Sequence, residues 1–125
     1  GWKVGIVKPV DNYTENAHVV TLKDSSIATS GDYRNFVYID DKKFSHTISP
    51  KTGYPAENNL ISVTIFHKQC MEADALTTAM MAMGEKKAID FANRYNLATI
   101  FFVRNDDDTI SEIVSEKAKK ILGIK

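Results

Sequence analysis

The sequence is poor in cysteine and proline, carries no excess of either charge, and has no long apolar run. Cys70 is the only cysteine among the 125 residues, which excludes an internal disulfide and a cysteine-rich zinc site. The 16 basic and 16 acidic side chains balance without a basic block, which argues against binding nucleic acid by neutralising its phosphates. No segment reaches the roughly 20 apolar residues needed to cross a bilayer, and no signal peptide is visible.

What remains is the composition of a folded domain. Hydrophobic residues make up 43% of the chain and charged residues 26%, a balance that excludes a disordered or fibrous protein. The length predicts a single domain over residues 1–125. Because the chain begins with Gly1-Trp2 rather than with methionine, we expect further residues upstream.

Hydrophobic patterning divides the chain into strands, then helices, then a terminal hairpin. Alternating or β-branched runs predict strands over residues 2–10 (ended at Pro9), 18–22, 26–29, 33–39, 43–48 and 60–67. The later segments predict helices over residues 71–83 and 85–95, a hairpin of strands at 98–103 and 109–114, and a short helix at 116–122. This order favours an α+β fold, with a mostly antiparallel sheet flanked by two or three helices in two layers, over a doubly wound fold.

The helix predicted at residues 71–83 carries an acidic residue in an uncharged stretch. Its main apolar face is formed by residues at helical spacing: Ala75, Leu76, Ala79, Met80 and Met83. Asp74 and Thr78, one turn apart, share another face. Because residues 75–83 carry no charge, we predict that this face is also covered, and a covered carboxylate needs a cation or several hydrogen-bond donors.

Two interpretations of this pair remain open. In the first, Asp74 is a first-turn residue favoured by the helix dipole, and Thr78 bonds back to the carbonyl group of residue 74. In the second, the carboxylate and the hydroxyl are oxygen ligands of a hard cation. Mg²⁺ suits such a sparse set, because it keeps waters and shares the phosphates of a substrate. Spacing alone favours the first interpretation.

His46 and two loops supply further candidate groups. His46 ends a strand just before SPKTGYP at residues 49–55, whose two prolines and one glycine predict a fixed loop. Histidine is the usual acid or base near neutral pH, but a lone histidine is more often structural, and we interpret His18 and His67 in that way. The hydroxyl-rich turn TSGDYR at residues 29–34 has backbone N–H groups that could hold a phosphate, although it is not a P-loop.

Taken in order, these motifs resemble one family. They are WKVGI at residues 2–6 with Pro9, IATSGDYR at 27–34, FSHTISPKTGYP at 44–55, SVTI at 62–65, and ADALTTA at 73–79 with Met83-Gly84. The combination runs along nearly the whole chain and resembles the C-terminal portion of the ApbE-like flavin transferases, or FAD:protein FMN transferases.

The resemblance implies an enzyme that cleaves the pyrophosphate of FAD, transfers FMN to a threonine or serine hydroxyl of a target protein, and releases AMP. It implies that Asp74 and Thr78 bind Mg²⁺, with Thr77 as a possible third metal contact. His46 would be the catalytic base or a contact to the flavin phosphates. The resemblance also assigns four residues to the cleft that binds FAD: Ser30, Gly31, Thr52 and Gly53.

The resemblance carries expectations about context as well. The family loop usually reads His-x-Ile-Asp-Pro-x-Thr-Gly, and here Ser49 stands in the place of the aspartate. Family members are expected to be about twice this long, with an N-terminal half that supplies flavin contacts and a Gly-Lys-Gly-like segment to the metal site. We therefore expect a missing N-terminal half, an acceptor protein such as a redox-pump subunit, and a periplasmic or cell-envelope location through a lipid anchor.

Three functions remain as alternatives. The first is Mg²⁺-dependent transfer of FMN by the completed enzyme, and the resemblance favours it. The second is a non-catalytic FAD-binding module, or an FAD pyrophosphatase that yields FMN and AMP. The third is an interaction domain in which Asp74 caps a helix and His46 is structural.

Overall fold

A computed structural model describes residues 1–10, 15–32, 36–45, 47–55 and 59–125. A strand or helix lies in each predicted segment: the segments at 60–67 and 116–122 have the predicted bounds, and most others differ at one end by a few residues. Residues 33–35 and 46, which belong to two predicted strands, lie outside the described residues. The elements are β1 (Trp2–Val7), β2 (Asn16–Leu22), β3 (Ser26–Gly31), β4 (Phe36–Ile39), β5 (Lys42–Ser45), β6 (Leu60–His67), α1 (Cys70–Met83), α2 (Glu85–Arg94), β7 (Ala98–Arg104), β8 (Ile110–Val114) and α3 (Glu116–Leu122).

All strand pairs in the described ranges are antiparallel. A four-stranded sheet has the order β3-β6-β7-β8, while β1 pairs with β2 and β4 pairs with β5. Asp40 and Asp41, both at positive φ, form the two-residue turn of the β4–β5 hairpin, where the strand twist favours left-handed residues. The predicted α+β fold with a mostly antiparallel sheet is therefore confirmed.

The central strands β6 and β7 are apolar on both faces, and each face covers a separate core. Burial of these side chains is the main favourable contribution to folding. One core lies against α1 and α2 and contains Leu60, Val63, Ile65, Ala73, Met80, Met81, Ala88, Ala92, Phe101 and Val103. The other lies against β1, β2 and α3 and contains Ile6, Val20, Ile61, Phe66, Ala98, Ile100, Phe102 and Ala118.

Strand β3 runs further than the sequence predicted. Residues 30 and 31 were expected to begin a turn, but Ser30 pairs with Val63 and Gly31 pairs with Ser62. The backbone N–H of Asp32 also donates to Ile61 O, at 3.0 Å. Turn-forming residue types are overridden here because the neighbouring strand β6 supplies ladder hydrogen bonds and an apolar surface.

The two histidines interpreted as structural each contact a carboxylate on another element. His18 Nε2 lies 2.8 Å and 2.9 Å from the two carboxylate oxygens of Glu112, which ties β2 to β8. His67 Nε2 lies 3.3 Å from Glu72 Oε2, which ties the end of β6 to the first turn of α1. These contacts fit the structural interpretation.

Two expectations concern the organisation of the chain. None of the helices in the described ranges combines the length and the apolar character that crossing a membrane requires. That residues 1–125 form a single domain of a longer protein stays a prediction.

Ser115 joins α3 to the sheet. Its hydroxyl donates to Leu97 O at 2.7 Å and accepts from the backbone N–H groups of Thr99 and Ala118, at 2.9 Å and 3.3 Å. The bond from Ala118 makes Ser115 the N-cap of α3. By contrast, the fully buried hydroxyl of Thr99 has no hydrogen-bond partner among the described residues.

We predict opposite effects of removing these two buried hydroxyls. Ser115→Ala should lower the free energy of unfolding by about 2 kcal/mol, because it removes the side-chain partner of two buried N–H groups and of the part-buried Leu97 carbonyl. Thr99→Val, which is nearly isosteric, should leave it unchanged or raise it by up to about 1 kcal/mol. Urea unfolding followed by circular dichroism measures both. A larger loss for Thr99→Val than for Ser115→Ala would contradict this account.

Candidate functional site

Helix α1 positions the candidate metal ligands. Residues 70–83 contain neither proline nor glycine, and Gly84, at φ 81°, ends the helix and begins α2. The helix packs on strands β3 and β6. Its buried residues are Ala73, Thr77, Met80 and Met81.

The buried face of α1 differs from the predicted one. Ala75 and Ala79, which were assigned to the core, are exposed, and Ala73 and Thr77 are buried in their place. The helix is apolar almost all round, so the spacing of apolar residues does not determine which face meets the sheet. Thr77 can be buried because its hydroxyl finds partners inside the interface, as described below.

The predicted cover over Asp74 and Thr78 is wrong for this chain. Both residues are exposed, because α1 turns the opposite side toward β3 and β6. No hydrogen bond or ion pair to the Asp74 carboxylate is formed by the residues that the structure describes. Among the described residues, the Asp74 carboxylate is therefore exposed and without a partner rather than buried.

Hydroxyl groups surround the backbone carbonyl of Asp74. Thr77 Oγ1 donates to Asp74 O at 2.9 Å, and Thr78 Oγ1 donates to the same oxygen at 3.2 Å. The back-bond from Thr78 is the one that the first interpretation of the pair predicted. It does not exclude the second interpretation, because a hydroxyl that donates its proton keeps lone pairs for a cation.

Ser30 of β3 completes this group. Its Oγ lies 2.9 Å from Thr77 Oγ1 and 3.3 Å from Thr78 Oγ1. Ser30 points toward α1 because its cross-strand partner Val63 does so, and directly paired residues project on the same side of a sheet. A residue predicted to line the FAD cleft and three predicted metal contacts thus lie together, although they come from separate motifs. We call Ser30, Asp74, Thr77 and Thr78 the hydroxyl–carboxylate cluster.

The loop at residues 48–55 forms a separate closed turn. Ile48 and Pro55 form a bridge, the N–H of Ser49 donates to Tyr54 O, and the N–H of Gly53 donates to Ser49 O, both at 2.9 Å. Gly53 lies at φ 72°, where a side chain is strained even though space is available for one. The predicted loop is therefore present as a closed turn, and its rigidity stays a prediction.

The Ser49 side chain takes part in this turn. Its Oγ lies 3.4 Å from the backbone N of Lys51, an arrangement that an aspartate at the same position can also form. The substitution relative to the usual family loop therefore preserves a local acceptor for the turn but removes a negative charge.

The structure tests the position of most predicted site residues but not their roles. Thr52 and Gly53 form hydrogen bonds within their own turn, and Gly31 follows Ser30 on β3. His46, the predicted catalytic residue, lies outside the described residues, as do Tyr33 and Arg34 of the β3 motif. The catalytic, FAD-binding and metal-binding assignments all stay predictions.

The donor set offers part of a metal site. In the described ranges, no three histidine, cysteine, aspartate or glutamate side chains come together in a way that could hold a metal ion. The cluster offers one carboxylate, on Asp74, with hydroxyl oxygens beside it. This set is too small for a cation that needs a full protein shell, but it fits Mg²⁺, which retains waters and binds substrate phosphates.

Sequence reasoning missed one feature of the site, the contact between Ser30 and Thr77. A signal for it exists in the sequence. Thr77 and Thr78 are the only polar residues between positions 75 and 83. Because a buried hydroxyl needs a hydrogen-bond partner, a helix that packs on the sheet through this stretch predicts a polar residue opposite one of them.

Comparison with known proteins places these features in a wider context. The sequence model of the ApbE family matches residues 1–101. A curated relative from Escherichia coli K12, named FAD:protein FMN transferase, is 38% identical over 121 residues, which is 97% of this chain and 34% of the relative. A relative of the same name from Vibrio cholerae is 37% identical over 98% of this chain and 36% of its own length.

Solved structures agree in fold. The apo form of the flavinyl transferase ApbE from Pseudomonas stutzeri superimposes with a TM-score of 0.83 at 30% identity, over 99% of this chain and 38% of that one. The flavin transferase ApbE from Vibrio cholerae gives a TM-score of 0.80 at 35% identity, over 97% of this chain and 38% of that one.

This chain spans about a third of the length of the curated relatives it matches, so the expected twofold difference in length was too small. The family model covers most of the described strands, helix α1, which carries three residues of the cluster, and helix α2, which packs beside it. The chain belongs to the ApbE family.

Proposed function

We propose that this chain forms part of a flavin transferase, an enzyme that moves FMN from FAD to a serine or threonine hydroxyl of a target protein. The relatives' names support flavin transfer as the activity. The observation that carries the proposal is the hydroxyl–carboxylate cluster: Asp74 and Thr78 are both exposed and lie one turn apart on α1, and no described residue pairs with the Asp74 carboxylate.

The reaction is a phosphoryl-type displacement on the pyrophosphate of FAD. The acceptor hydroxyl oxygen attacks the phosphorus atom on the riboflavin side, and a new P–O bond forms as the bond to the AMP oxygen breaks. AMP leaves with the bonding electron pair, and the hydroxyl proton passes to a base. We assign that base to His46, because a neutral imidazole can accept a proton near neutral pH and a serine or threonine hydroxyl is otherwise a weak nucleophile.

Asp74 and Thr78 would hold Mg²⁺ in this proposal. When bound, the cation neutralises the pyrophosphate oxygens and favours in-line displacement. The exposure of Asp74 suits this role, because the carboxylate must be reachable by a cation that is also bound to the dinucleotide. Ser30, Gly31, Thr52 and Gly53 would line the side of the cleft that this chain supplies.

The rest of the proposal concerns what lies outside these residues. A further polypeptide segment, the N-terminal half expected from the resemblance, would complete the FAD cleft and the metal shell. The acceptor would be a protein with a flavinylation site at threonine or serine. A location in the periplasm or cell envelope, through a lipid anchor, is part of the same proposal.

The first prediction from the proposed function tests the metal ligand. A chimera is made from the Escherichia coli relative by replacing its matching segment with this chain. The chimera is incubated with FAD, Mg²⁺ and the acceptor protein of the Escherichia coli enzyme. Mass spectrometry should show FMN on the acceptor. Asp74→Asn should lower the transfer rate by about 100-fold or more, because it removes the charged metal ligand. The matched control is Asp90→Asn, an exposed aspartate on α2, which should stay within about twofold of the parent.

The same assay separates the alternatives. Release of FMN and AMP without labelling of the acceptor would favour a pyrophosphatase, and retention of FAD without turnover would favour a binding module. If the folded chimera has no affinity for FAD, the chain is an interaction domain. Unchanged transfer in Asp74→Asn would contradict the metal assignment.

The second prediction tests the base. In the chimera, His46→Gln should lower the transfer kcat by about 100-fold at neutral pH while the KM for FAD changes little. The loss should become smaller as the pH rises, because solvent hydroxide can then take the proton. His18→Gln, which alters a histidine paired with Glu112 on the sheet, serves as the control. A large rise in the KM for FAD with kcat preserved would identify His46 as a phosphate contact instead.

A further inference from the structure

We propose that Ser30 and Thr77 are positioning residues that direct the Thr78 proton inward and so leave the Thr78 oxygen free as a ligand beside Asp74. The inference rests on the proposed function, because the group that Thr78 would receive is the bound cation. It gives Thr77 a role different from the direct metal contact that the family resemblance implies.

The argument begins with the proton of Thr77. A hydroxyl has one proton to donate, and a carbonyl oxygen can only accept. The 2.9 Å contact between Thr77 Oγ1 and Asp74 O therefore uses the Thr77 proton. It follows that the 2.9 Å contact between Ser30 Oγ and Thr77 Oγ1 is donated by Ser30.

The same counting then fixes the direction of the Thr78 proton. Once the Ser30 proton is used, Ser30 Oγ can only accept in its 3.3 Å contact with Thr78 Oγ1. The Thr78 proton is directed to Asp74 O, at 3.2 Å, or is shared between Asp74 O and Ser30 Oγ. Ser30 Oγ lies between β3 and α1, and Asp74 O belongs to the helix backbone. The Thr78 proton therefore points away from solvent, and the lone pairs of the Thr78 oxygen face the exposed side of the helix.

The exposed side of the helix is where the Asp74 carboxylate lies. Residues four apart on a helix are neighbours on one face, so the Thr78 oxygen and the carboxylate can approach the same cation. A cation binds oxygen lone pairs and is repelled by a hydroxyl proton that points at it. An oriented Thr78 therefore binds better than one that rotates freely.

Thr77 cannot take the same role as Thr78. Its side chain is 0% exposed, and its hydroxyl is engaged on both the helix side and the strand side. Thr77 instead orients the Thr78 hydroxyl through Ser30, in the way that residues behind the ligands of a metal orient those ligands.

A neighbouring pair supplies a matched control. Thr29, next to Ser30 on β3, points to the opposite face of the sheet, and its Oγ1 lies 2.8 Å from Thr64 Oγ1. Thr64 is 1% exposed, close to the value for Thr77. Thr64→Val and Thr77→Val thus each remove one buried hydroxyl that is paired with β3, but only Thr77→Val touches the cluster.

The first arm of the test needs no metal. The three-bond coupling between the Thr78 hydroxyl proton and Hβ, and the exchange rate of that hydroxyl proton, are measured by low-temperature NMR in the parent chain, Thr77→Val, Thr77→Ser, Ser30→Ala and Thr64→Val. Thr77→Val and Ser30→Ala should change from one Thr78 hydroxyl orientation to an average with faster exchange, whereas Thr77→Ser and Thr64→Val should keep the parent values. If Thr77→Val does not fold, the Thr78 measurement in Ser30→Ala still tests the inference. Parent values in both Thr77→Val and Ser30→Ala would overturn the inference.

The second arm adds Mn²⁺ as a paramagnetic substitute for Mg²⁺ and follows the broadening of the Asp74 and Thr78 signals. Thr77→Val should raise the apparent Kd by about tenfold, while Thr77→Ser and Thr64→Val stay within about twofold of the parent. Parent affinity in Thr77→Val would overturn the inference and leave the proposed function standing. Equal broadening at Asp74 and at Asp90 in the parent would instead contradict the metal site of the proposed function, and the metal-free arm would still decide the positioning role.

Discussion

The candidate site of this chain depends on one polar contact, the hydroxyl pair between Ser30 on the edge strand β3 and Thr77 on helix α1. Apart from the contact of Ser30 with Thr78 and that of His67 with Glu72 at the start of the helix, the described interface between α1 and the sheet is mostly apolar, and apolar burial is not directional. A helix held only by such contacts could rotate or slide at little cost. The Ser30–Thr77 bond opposes that movement, because displacement of α1 would leave two hydroxyls without partners in the interface.

The direction in which α1 faces explains the chemistry that the chain can offer. By burying Thr77, the helix turns Asp74 outward together with Ala75, Ala79 and Met71, the last of which is 80% exposed. A solvated helix face normally carries several charges along its length, whereas beyond Glu72 and Asp74 in the first turns the exposed residues of α1 are small or uncharged. Such a face suits contact with a further molecule, and the proposed function supplies one, a dinucleotide that shares a cation with Asp74.

The fold could be predicted from the sequence to the extent that local pattern determined it. The apolar run of β6 and the glycine between α1 and α2 were unambiguous, and both appear where they were expected. The end of β3 was not predictable in this way, since Ser30 and Gly31 are turn-forming residues that a neighbouring strand holds in the ladder. The buried face of α1 also could not be predicted, because nearly every residue of that helix could pack against a sheet.

The site was predictable in its residues but not in its arrangement. Asp74 and Thr78 were identified by helical spacing and by the family resemblance, yet their exposure follows from the packing of α1, which spacing does not report. The contact of Ser30 with Thr77 joins residues from different motifs, and the packing of α1 on β3 and β6 brings them together. His46 lies outside the described residues, so its place relative to the cluster rests on the resemblance alone.

The most direct measurement of the central claim is diffraction at the manganese absorption edge, from crystals of the chimera with the Escherichia coli relative grown with Mn²⁺ and FAD. The account predicts an anomalous peak within coordination distance of the Asp74 carboxylate and Thr78 Oγ1, with a pyrophosphate oxygen on the same ion and Thr77 behind Thr78. A peak that contacts none of these side chains, with FAD bound elsewhere on the chain, would contradict it.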